Sequence, residues 1–311
     1  MASKPAVVDP KFHSLRTQVL TAPTSALLTI LTRILAHLPG VVLRTWASLL
    51  ARLVMLANLA PAATTGRNLE LCFPDLDSRQ RQDLQRTSLT HTAMLLLESG
   101  MTFHWQADRL NCLIGRVSGE ELLTRAIATG RGVLLLVPHF GNWEFLALFL
   151  GRFKLVALYD PPRQHALDIA VKQARQRTGA KLVPLTQAGL KTAYQTLQSG
   201  GLLGLLPDQV PDRNSGLHVP FFNHPALTMT LAHRLISKAD PIVLIASAMR
   251  VDDGFEIAIE ETVVQIHSGD AHEALTAMNQ SIEALVMKAP EQYQWEYRRF
   301  KSPPEGQDRV Y

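Results

Sequence analysis

The chain contains little cysteine and little charge. Only two of its 311 residues are cysteines, Cys72 and Cys112, and they provide neither a disulfide framework nor the ligand spacing of a zinc site. A reducing compartment is therefore favoured, and each cysteine is expected in the core rather than as a nucleophile. Charged residues make up 19% of the chain and hydrophobic residues 47%, a balance that favours membrane association.

Long apolar runs are also absent. No stretch reaches the ~18 apolar residues that predict a membrane-spanning helix. The charge-free intervals between Arg16 and Arg33 and between Arg52 and Arg67 are interrupted by polar residues or proline. The first five residues, MASKP, lack the apolar core of a signal peptide, so cleavage and export are not expected.

Several common catalytic motifs are missing as well. There is no Gly-x-Ser-x-Gly elbow, so a serine acyl-enzyme is not expected. The phosphate loop and the dinucleotide fingerprint are absent, and so are the zincin motifs. The eleven histidines are scattered. We therefore predict no metal and no cofactor.

Negative charge is missing from the N-terminal region, because positions 11 to 69 contain six cationic residues and no acidic residue. Pro39-Gly40 divides this leucine-rich region into two predicted helices, 24–38 and 41–60. A basic, apolar helical pair is typical of an interfacial anchor on an anionic leaflet, and the alternative is an ordinary pair of core helices. Nucleic acid is not expected as a partner, because the cations are spread among aliphatic residues without a recognised motif. The six cations are Lys11, Arg16, Arg33, Arg44, Arg52 and Arg67.

From Gly132 onward, predicted strands and helices alternate, which indicates a largely parallel sheet covered by helices. Residues 255–262 alternate in hydrophobicity and predict an antiparallel partner strand. Before this region, Asp77 or Ser78 is expected to cap a helix that runs to about Ser99. The other predicted strands are 132–138, 154–159, 181–184, 202–206 and 241–248, and the other predicted helices are 119–128, 142–150, 165–178, 187–198, 226–238 and 271–287.

A histidine ends the first of these strands, and an acid follows five residues later. His139 and Glu144 could provide general-base chemistry at neutral pH. In one helix they would lie roughly 140° apart, so they converge only if His139 is in a loop and Glu144 in the first turn of the next helix. Gly141 permits that tight turn and Asn142 is a good N-cap. Glu144 would then accept the imidazole N–H; the alternative is a loop histidine and an acid that compensates the helix dipole.

Other candidate residues also lie near strand ends. Arg175 and Arg177 precede Gly179 at the end of a predicted helix, where they either compensate the helix dipole or clamp an anion. Asp208 follows an apolar strand and is either a turn residue or part of a site. Arg213 and Arg250 could also contact phosphates, and the alternative is that both are exposed arginines without a specific role.

The stretch His139–Glu144 reads His-Phe-Gly-Asn-Trp-Glu, and in this order it resembles the late acyltransferases of lipid A biosynthesis, the lauroyl and myristoyl transferases, which are related to lysophospholipid acyltransferases. Three further blocks occur in the order of that family, so the resemblance covers roughly residues 24 to 301. They are Arg67-Asn68-Leu69 with Cys72-Phe73-Pro74; Pro207-Asp208-Gln209 with Gly216, Val219-Pro220-Phe221-Phe222 and Thr228; and Pro290-Glu291-Gln292-Tyr293-Gln294-Trp295 with Arg298-Arg299-Phe300-Lys301.

The chain departs from the family pattern in two places. Asn223 stands where the family usually has glycine, and residues 159–163 read Tyr-Asp-Pro-Pro-Arg where Tyr-Arg-Pro is more usual. Both segments are expected to face the acceptor.

The resemblance implies a glycerol-3-phosphate acyltransferase-like α/β fold with a basic apolar helical anchor at the N-terminus. We therefore divide the chain into an N-terminal tail (1–23), membrane-associating helices (24–61), an acyltransferase domain (62–301) and a C-terminal tail (302–311) that frays. It also implies a location on the cytoplasmic face of the inner membrane.

The implied reaction moves a fatty acyl chain from a thioester, on acyl carrier protein or coenzyme A, to a hydroxyl of a phosphorylated glycolipid. His139 would be the base and Glu144 would hold it, with backbone amides near Asn142 stabilising the oxyanion. The resemblance also implies substrate-binding roles for Asn142, Arg175, Arg177 and Asp208. Two alternatives stay open: an acyltransferase of the same fold with a glycerophospholipid or other glycolipid acceptor, and a non-catalytic membrane-surface protein that binds lipid or carrier protein.

Overall fold

The computed structural model describes residues 27–161 and 165–311. The predicted tail 1–23, the predicted start of the first helix and positions 162–164 lie outside these residues.

A mostly parallel seven-stranded sheet forms the centre of the fold, in the order β1-β9-β8-β2-β5-β3-β4. Neighbouring strands are parallel except for β8 and β9, which are antiparallel. This confirms the predicted α/β class and the antiparallel strand near 255–262. The strands are β1 Ile114–Ser118, β2 Val133–Leu136, β3 Val156–Tyr159, β4 Lys181–Pro184, β5 Leu202–Leu205, β8 Ile242–Val251 and β9 Gly254–Glu261, with a separate hairpin of β6 Gly216–Phe221 and β7 His224–Met229.

Helices cover both faces of this sheet, which explains why β2 and β5 read as continuous apolar runs rather than as alternating patterns. The packing of α10, α11 and α12 buries one face, and that of α7, α8 and α9 the other. The helices are α1 Leu27–Leu35, α2 Gly40–Leu56, α3 Ala60–Cys72, α4 Ser78–Leu97, α5 Ser99–His104, α6 Ala107–Asn111, α7 Glu120–Ala128, α8 Trp143–Leu150, α9 His165–Gln176, α10 Gln187–Gln198, α11 Leu231–Ala239 and α12 Ala271–Val286.

The predicted start of α4 is confirmed by a capping box. The Asp77 carboxylate accepts from the Gln80 amide at 2.8 Å, and the Gln80 side chain accepts from the Asp77 amide at 2.9 Å. The two side chains therefore fix the first residue of the helix.

Two predicted helices have the wrong bounds. The predicted helix 226–238 begins only at Leu231, because residues 224–229 form β7 and pair with β6. The predicted helix 41–60 ends at Leu56, where the chain turns through Asn58 (φ 45°). Pro61, in the first turn of α3, then starts a new helix.

The turn between β6 and β7 accounts for one departure from the family pattern. Phe222 and Asn223 both have positive φ, 47° and 62°, as a two-residue type I′ hairpin turn requires. Asparagine tolerates this conformation better than most residues other than glycine, so Asn223 replaces glycine as a turn residue.

The C-terminal tail contacts the body of the protein at both of its ends, while residues 305–309 are exposed, and the prediction that it frays stays a prediction. The Tyr311 hydroxyl donates to the Asn68 side chain and accepts from the Phe300 amide at 3.3 Å. The Ser302 carbonyl is 2.9 Å from His218 Nε2. The predicted division at 61/62 and 301/302 stays a prediction.

The helices α1 and α2 expose many apolar side chains, among them Leu53 at 61% and Leu56 at 84%. No single helix among the described residues is long and apolar enough to cross a membrane. Together α1 and α2 meet that test of length and composition, but they are bent by 119° relative to each other. An anchor in residues 24–61 stays a prediction.

Candidate active site

The predicted catalytic loop joins β2 to α8 at the carboxyl edge of the sheet. Gly141 has φ 61°, and a Cβ atom there would lie 2.1 Å from the Ala248 carbonyl oxygen, so only glycine fits. The Asn142 side chain accepts from the Phe145 amide at 2.9 Å and caps α8. Both features agree with the predicted turn and N-cap.

His139 is held by Asp208 and not by Glu144. The Asp208 carboxylate accepts from His139 Nδ1 at 2.8 Å and from the His139 amide at 2.9 Å. The Gln209 side-chain nitrogen lies 3.1 Å from Nε2. These partners fix the tautomer with the proton on Nδ1, which leaves Nε2 as the acceptor. The Asp208 side chain is only 2% exposed and that of His139 is 13% exposed.

The predicted hydrogen bond between Glu144 and the imidazole is therefore wrong. Glu144 is in the first turn of α8, as expected, but its carboxylate turns toward α9 and accepts from two nitrogens of the Arg175 guanidinium, Nε at 2.7 Å and Nη2. Arg175 is 23% exposed and Glu144 20%. The carboxylate–guanidinium fork is the stronger, bidentate pairing, and it orients the acid away from His139.

The charges of the site support an ionised Asp208 beside His139. Burial opposes ionisation, but His139, through its charge and its two hydrogen bonds, outweighs this effect and lowers the pKa of Asp208. Burial raises the pKa of Tyr293 well above its usual value, and Asp208 adds to the shift by its charge and a hydrogen bond. Tyr293 is therefore neutral beside the buried acid.

The charge of Arg175 is also retained. Burial lowers the pKa of its guanidinium, but the charge of Glu144, its hydrogen bonds to Arg175 and then Tyr159 outweigh this effect, so the pKa of Arg175 is raised. The opposite charges of Glu144 and Arg175 therefore compensate each other within the site.

Two other predicted binding residues lie behind the site. The Asn142 side chain is fully buried and donates to Glu98 at 2.7 Å. Arg177 donates to the Trp105 carbonyl at 3.0 Å and to the Ala174 carbonyl, and burial lowers its pKa. These contacts position the backbone, and the predicted contacts of both residues with substrate stay predictions.

Sequence reasoning missed a buried ion pair beneath the catalytic loop. Arg250 donates to both oxygens of Glu98 at 2.7–2.9 Å, and both side chains are 7% exposed. The alternative of an exposed Arg250 is wrong, because the side chain points from β8 toward the end of α4, and its contact with phosphates stays a prediction. The signal was an acid directly after the apolar run Leu95–Leu97. Removing one partner of such a pair costs roughly 3–5 kcal/mol.

The C-terminal block of the sequence clamps the catalytic loop. The Gly141 amide donates to the Gln292 carbonyl at 2.9 Å, and the Gln294 amide donates to the His139 carbonyl at 3.0 Å. The Gln292 side chain also bonds the Arg250 backbone in both directions. The N-terminal block joins the same cluster, because Asn68 donates to the Trp295 carbonyl at 2.6 Å.

A cavity of about 640 Å³ opens beside His139 and extends along both faces of the sheet edge. Gly204 on β5 is part of its wall, and a Cβ there would lie 3.1 Å from Leu155. Tyr159 and Asp160 contribute to the wall, whereas Asn223, expected to face the acceptor, does not. Apolar wall residues include Ala147, Leu155, Ala157 and Ala180 on the α8–α9 side and Leu158, Leu190, Met229 and Leu231 on the other side, while Glu144, Arg175, Asp212 and Arg234 are the charged ones besides Asp160.

This arrangement defines a class of α/β protein in which a histidine, oriented by a buried carboxylate, faces an apolar cavity at the carboxyl edge of a parallel sheet. The chain belongs to the bacterial lipid A biosynthesis acyltransferase family, which it matches over residues 11–302.

Curated relatives are between 22% and 28% identical to this chain over the aligned residues. It is 27% identical over 249 residues to the lipid A biosynthesis palmitoleoyltransferase of Escherichia coli K12, covering 79% of this chain and 80% of the relative. It is 28% identical over 244 residues to the lauroyltransferase of the same organism, covering 77% and 79%. The myristoyltransferase is 22% identical over 248 residues, covering 78% and 76%. The names of these three relatives differ in the acyl group that is transferred.

Proposed function

We propose that the protein is a membrane-associated O-acyltransferase that moves a fatty acyl chain from an acyl thioester to a hydroxyl of a lipid A precursor. The observation that carries the proposal is His139, whose Nδ1 is held by buried Asp208 while Nε2 lies at the wall of an apolar cavity of about 640 Å³. Family membership and the names of the relatives support the same activity.

His139 acts first as base and then as acid. Nε2 takes the proton of the acceptor hydroxyl as that oxygen attacks the thioester carbonyl carbon, and the acceptor replaces the Gln209 nitrogen at Nε2. The carbon–sulfur bond then breaks, and the leaving sulfur takes the proton back from the imidazolium. Asp208 stabilises the imidazolium and keeps the ring oriented. Since the acceptor oxygen attacks directly, no covalent enzyme intermediate forms.

The start of α8 supplies the oxyanion donors in this proposal. The first amides of a helix have no acceptor within the helix, and Asn142 uses its side-chain oxygen for only one of them, that of Phe145. The Trp143 and Glu144 amides are left for the developing negative charge, which preorganised donors stabilise. The Trp143 and His139 rings are arranged edge-on, with their centroids 4.9 Å apart. The Trp143 ring therefore limits access to the imidazole.

The apolar cavity is the site of the acyl chain. Each methylene that it removes from water contributes about 0.8 kcal/mol, so a fatty chain binds without polar contacts. The phosphates of the acceptor belong at the rim, where Arg234 is exposed. Arg175 was predicted to bind these phosphates. It can do so only if a phosphate displaces the Glu144 carboxylate from its guanidinium.

The exposed leucines of α2 and the cations Arg33, Arg44 and Arg52 favour an anionic membrane surface as the place of reaction. We assign this surface to the cytoplasmic face of the inner membrane, with acyl carrier protein or acyl coenzyme A as donor.

Acyl transfer by the purified full chain tests the proposal. The protein is incubated with each donor thioester and with either a lipid A precursor or a lysophospholipid, and the products are identified by mass spectrometry. The His139→Ala variant is treated in the same way as the control. We expect one added acyl chain on the lipid A precursor and none with the control variant. Transfer to the lysophospholipid alone would support the glycerophospholipid alternative, and transfer to neither would support a binding protein.

A further inference from the structure

A second depression, of about 550 Å³, lies between the end of α2, the start of α3 and α4. Among the described residues, its wall shares none with the cavity at His139. The wall residues are Arg52, Met55, Leu56, Asn58, Ala62, Gln82, Asp83, Gln85 and Arg86.

The depression is positively charged. Arg52 has no hydrogen-bond or ion-pair partner within the described part of the chain. Arg86 contacts Asp83 at 3.2 Å, but the side chains of this pair are 45% and 60% exposed, and such surface pairs are weak and readily exchanged. The first turn of α3, which contributes Ala62, contains no acid, so its helix dipole adds to the positive potential. Two guanidinium groups on one concave surface suit a phosphate.

One rim of the depression is apolar and exposed. Leu56 is 84% exposed and Leu53 is 61% exposed, and the row continues along α2 through Leu49 and Trp46. A cationic depression at the end of an apolar helix face matches a molecule with an anionic head and hydrocarbon tails. Inorganic phosphate has the same head chemistry but would leave the leucine row uncovered.

We infer that this depression binds the head group of one anionic phospholipid, with its phosphate on Arg52 and Arg86 and its acyl chains along the exposed face of α2. The inference deepens the proposed membrane association and rests on it, because the bound lipid would fix how the protein sits on the leaflet. It does not depend on the chemistry at His139.

A monomeric lipid separates this site from general attraction to a charged surface. Dihexanoyl phosphatidylglycerol is titrated by calorimetry into the full chain in neutral detergent, with dihexanoyl phosphatidylcholine as the uncharged comparison. We expect saturation at one phosphatidylglycerol per chain and no comparable binding of phosphatidylcholine. Equal binding of the two lipids, or binding without saturation, would overturn the inference.

Matched variants locate the site. Arg52→Gln with Arg86→Gln should weaken phosphatidylglycerol binding by roughly 30-fold. Arg125→Gln, which removes an exposed arginine on α7, should leave the affinity unchanged. Leu56→Asn should weaken lipid binding although both arginines remain. An equal effect of Arg125→Gln would show diffuse electrostatics, and full competition by inorganic phosphate would show a phosphate site; either result would overturn the lipid assignment.

Two outcomes keep this inference distinct from the proposed function. With a detergent-dispersed acceptor, Arg52→Gln with Arg86→Gln should transfer acyl chains at the wild-type rate, whereas His139→Ala should lose transfer but bind phosphatidylglycerol normally. If the chain binds no lipid and instead self-associates through residues that these variants disrupt, a second copy occupies the depression and the inference is wrong.

Discussion

At the scale of single residues, the orienting acid of His139 comes from 69 positions later in the chain. The sequence motif places Glu144 close to His139 along the chain, but spacing cannot show which way a first-turn side chain points. Asp208 follows β5, and the pairing of β5 with β2 brings their carboxyl ends together. That contact is non-local, so the sequence identified both residues as candidates and not their partnership.

Glu144 should act through Arg175. Glu144→Gln removes the charge that compensates a partly buried guanidinium, so we expect a reduced rate of transfer with little change in donor affinity. Arg175→Gln should have a similar effect, and the double variant should be little worse than the worse single variant, because the two side chains form one unit. Steady-state kinetics of the three variants measure this. Losses that multiply would mean that each residue contacts the substrate independently.

At the scale of elements, strand and helix positions were largely predictable where hydrophobic runs and breakers agreed. β4 and α10 have the predicted bounds. The β6–β7 hairpin was missed, because its turn is Phe222-Asn223 rather than a glycine turn and Ala226–Leu227 also suits a helix. Short β1 was missed too, since two of its five residues are exposed.

The loop between β2 and α8 should tolerate no side chain at position 141. In Gly141→Ala, the new Cβ would lie 2.1 Å from the Ala248 carbonyl oxygen at a φ of 61°, so the loop must move and His139 with it. We expect acyl transfer to fall by at least about 100-fold, while the far-ultraviolet circular dichroism stays native. Gly130→Ala is the control: it also changes a positive-φ glycine, but the new Cβ meets no atom within 4 Å. A nearly active Gly141→Ala variant would contradict this geometry.

Helix α4 contains a buried histidine, His91, that makes the stability of the fold depend on pH. Burial, followed by the charge of Arg250, lowers the pKa of His91 from 6.5 to about 4. Between these values the unfolded chain binds the proton and the folded chain does not, so stability decreases as the pH falls from 6.5 toward 4, by about 3 kcal/mol in total. His91→Gln should remove this part of the acid sensitivity. Urea unfolding of both proteins at pH 7 and pH 4 measures the difference, and equal pH dependence would contradict the assignment.

At the scale of the whole molecule, the four sequence blocks meet around one loop. The C-terminal block bonds the backbone of His139 and Gly141, and Asn68 from the first block bonds the C-terminal block in turn. The order of the blocks in the sequence could indicate the family. It could not predict the hydrogen bonds between the blocks, because these contacts join residues at opposite ends of the chain.

The leucine row of α2 should carry the association with membranes. Replacing Leu49, Leu53 and Leu56 by Asn removes exposed apolar area without cutting into the core, since the buried face of α2 is formed by other residues. Sedimentation with anionic vesicles should fall strongly. Val264→Asn, which changes a side chain that is 80% exposed elsewhere, should sediment like the wild type. Full sedimentation of the triple variant would show that the contact with membrane lies outside α2.

The central claim is that His139 and Asp208 act as one catalytic unit. A double-mutant cycle of His139→Ala and Asp208→Asn, in single-turnover acyl transfer with saturating donor and acceptor, tests it most directly. Each single variant should lose about 10²–10⁴-fold in rate, and the double variant should lie within a few-fold of the worse single variant. A wild-type rate in Asp208→Asn, or losses that multiply in the double variant, would contradict the account.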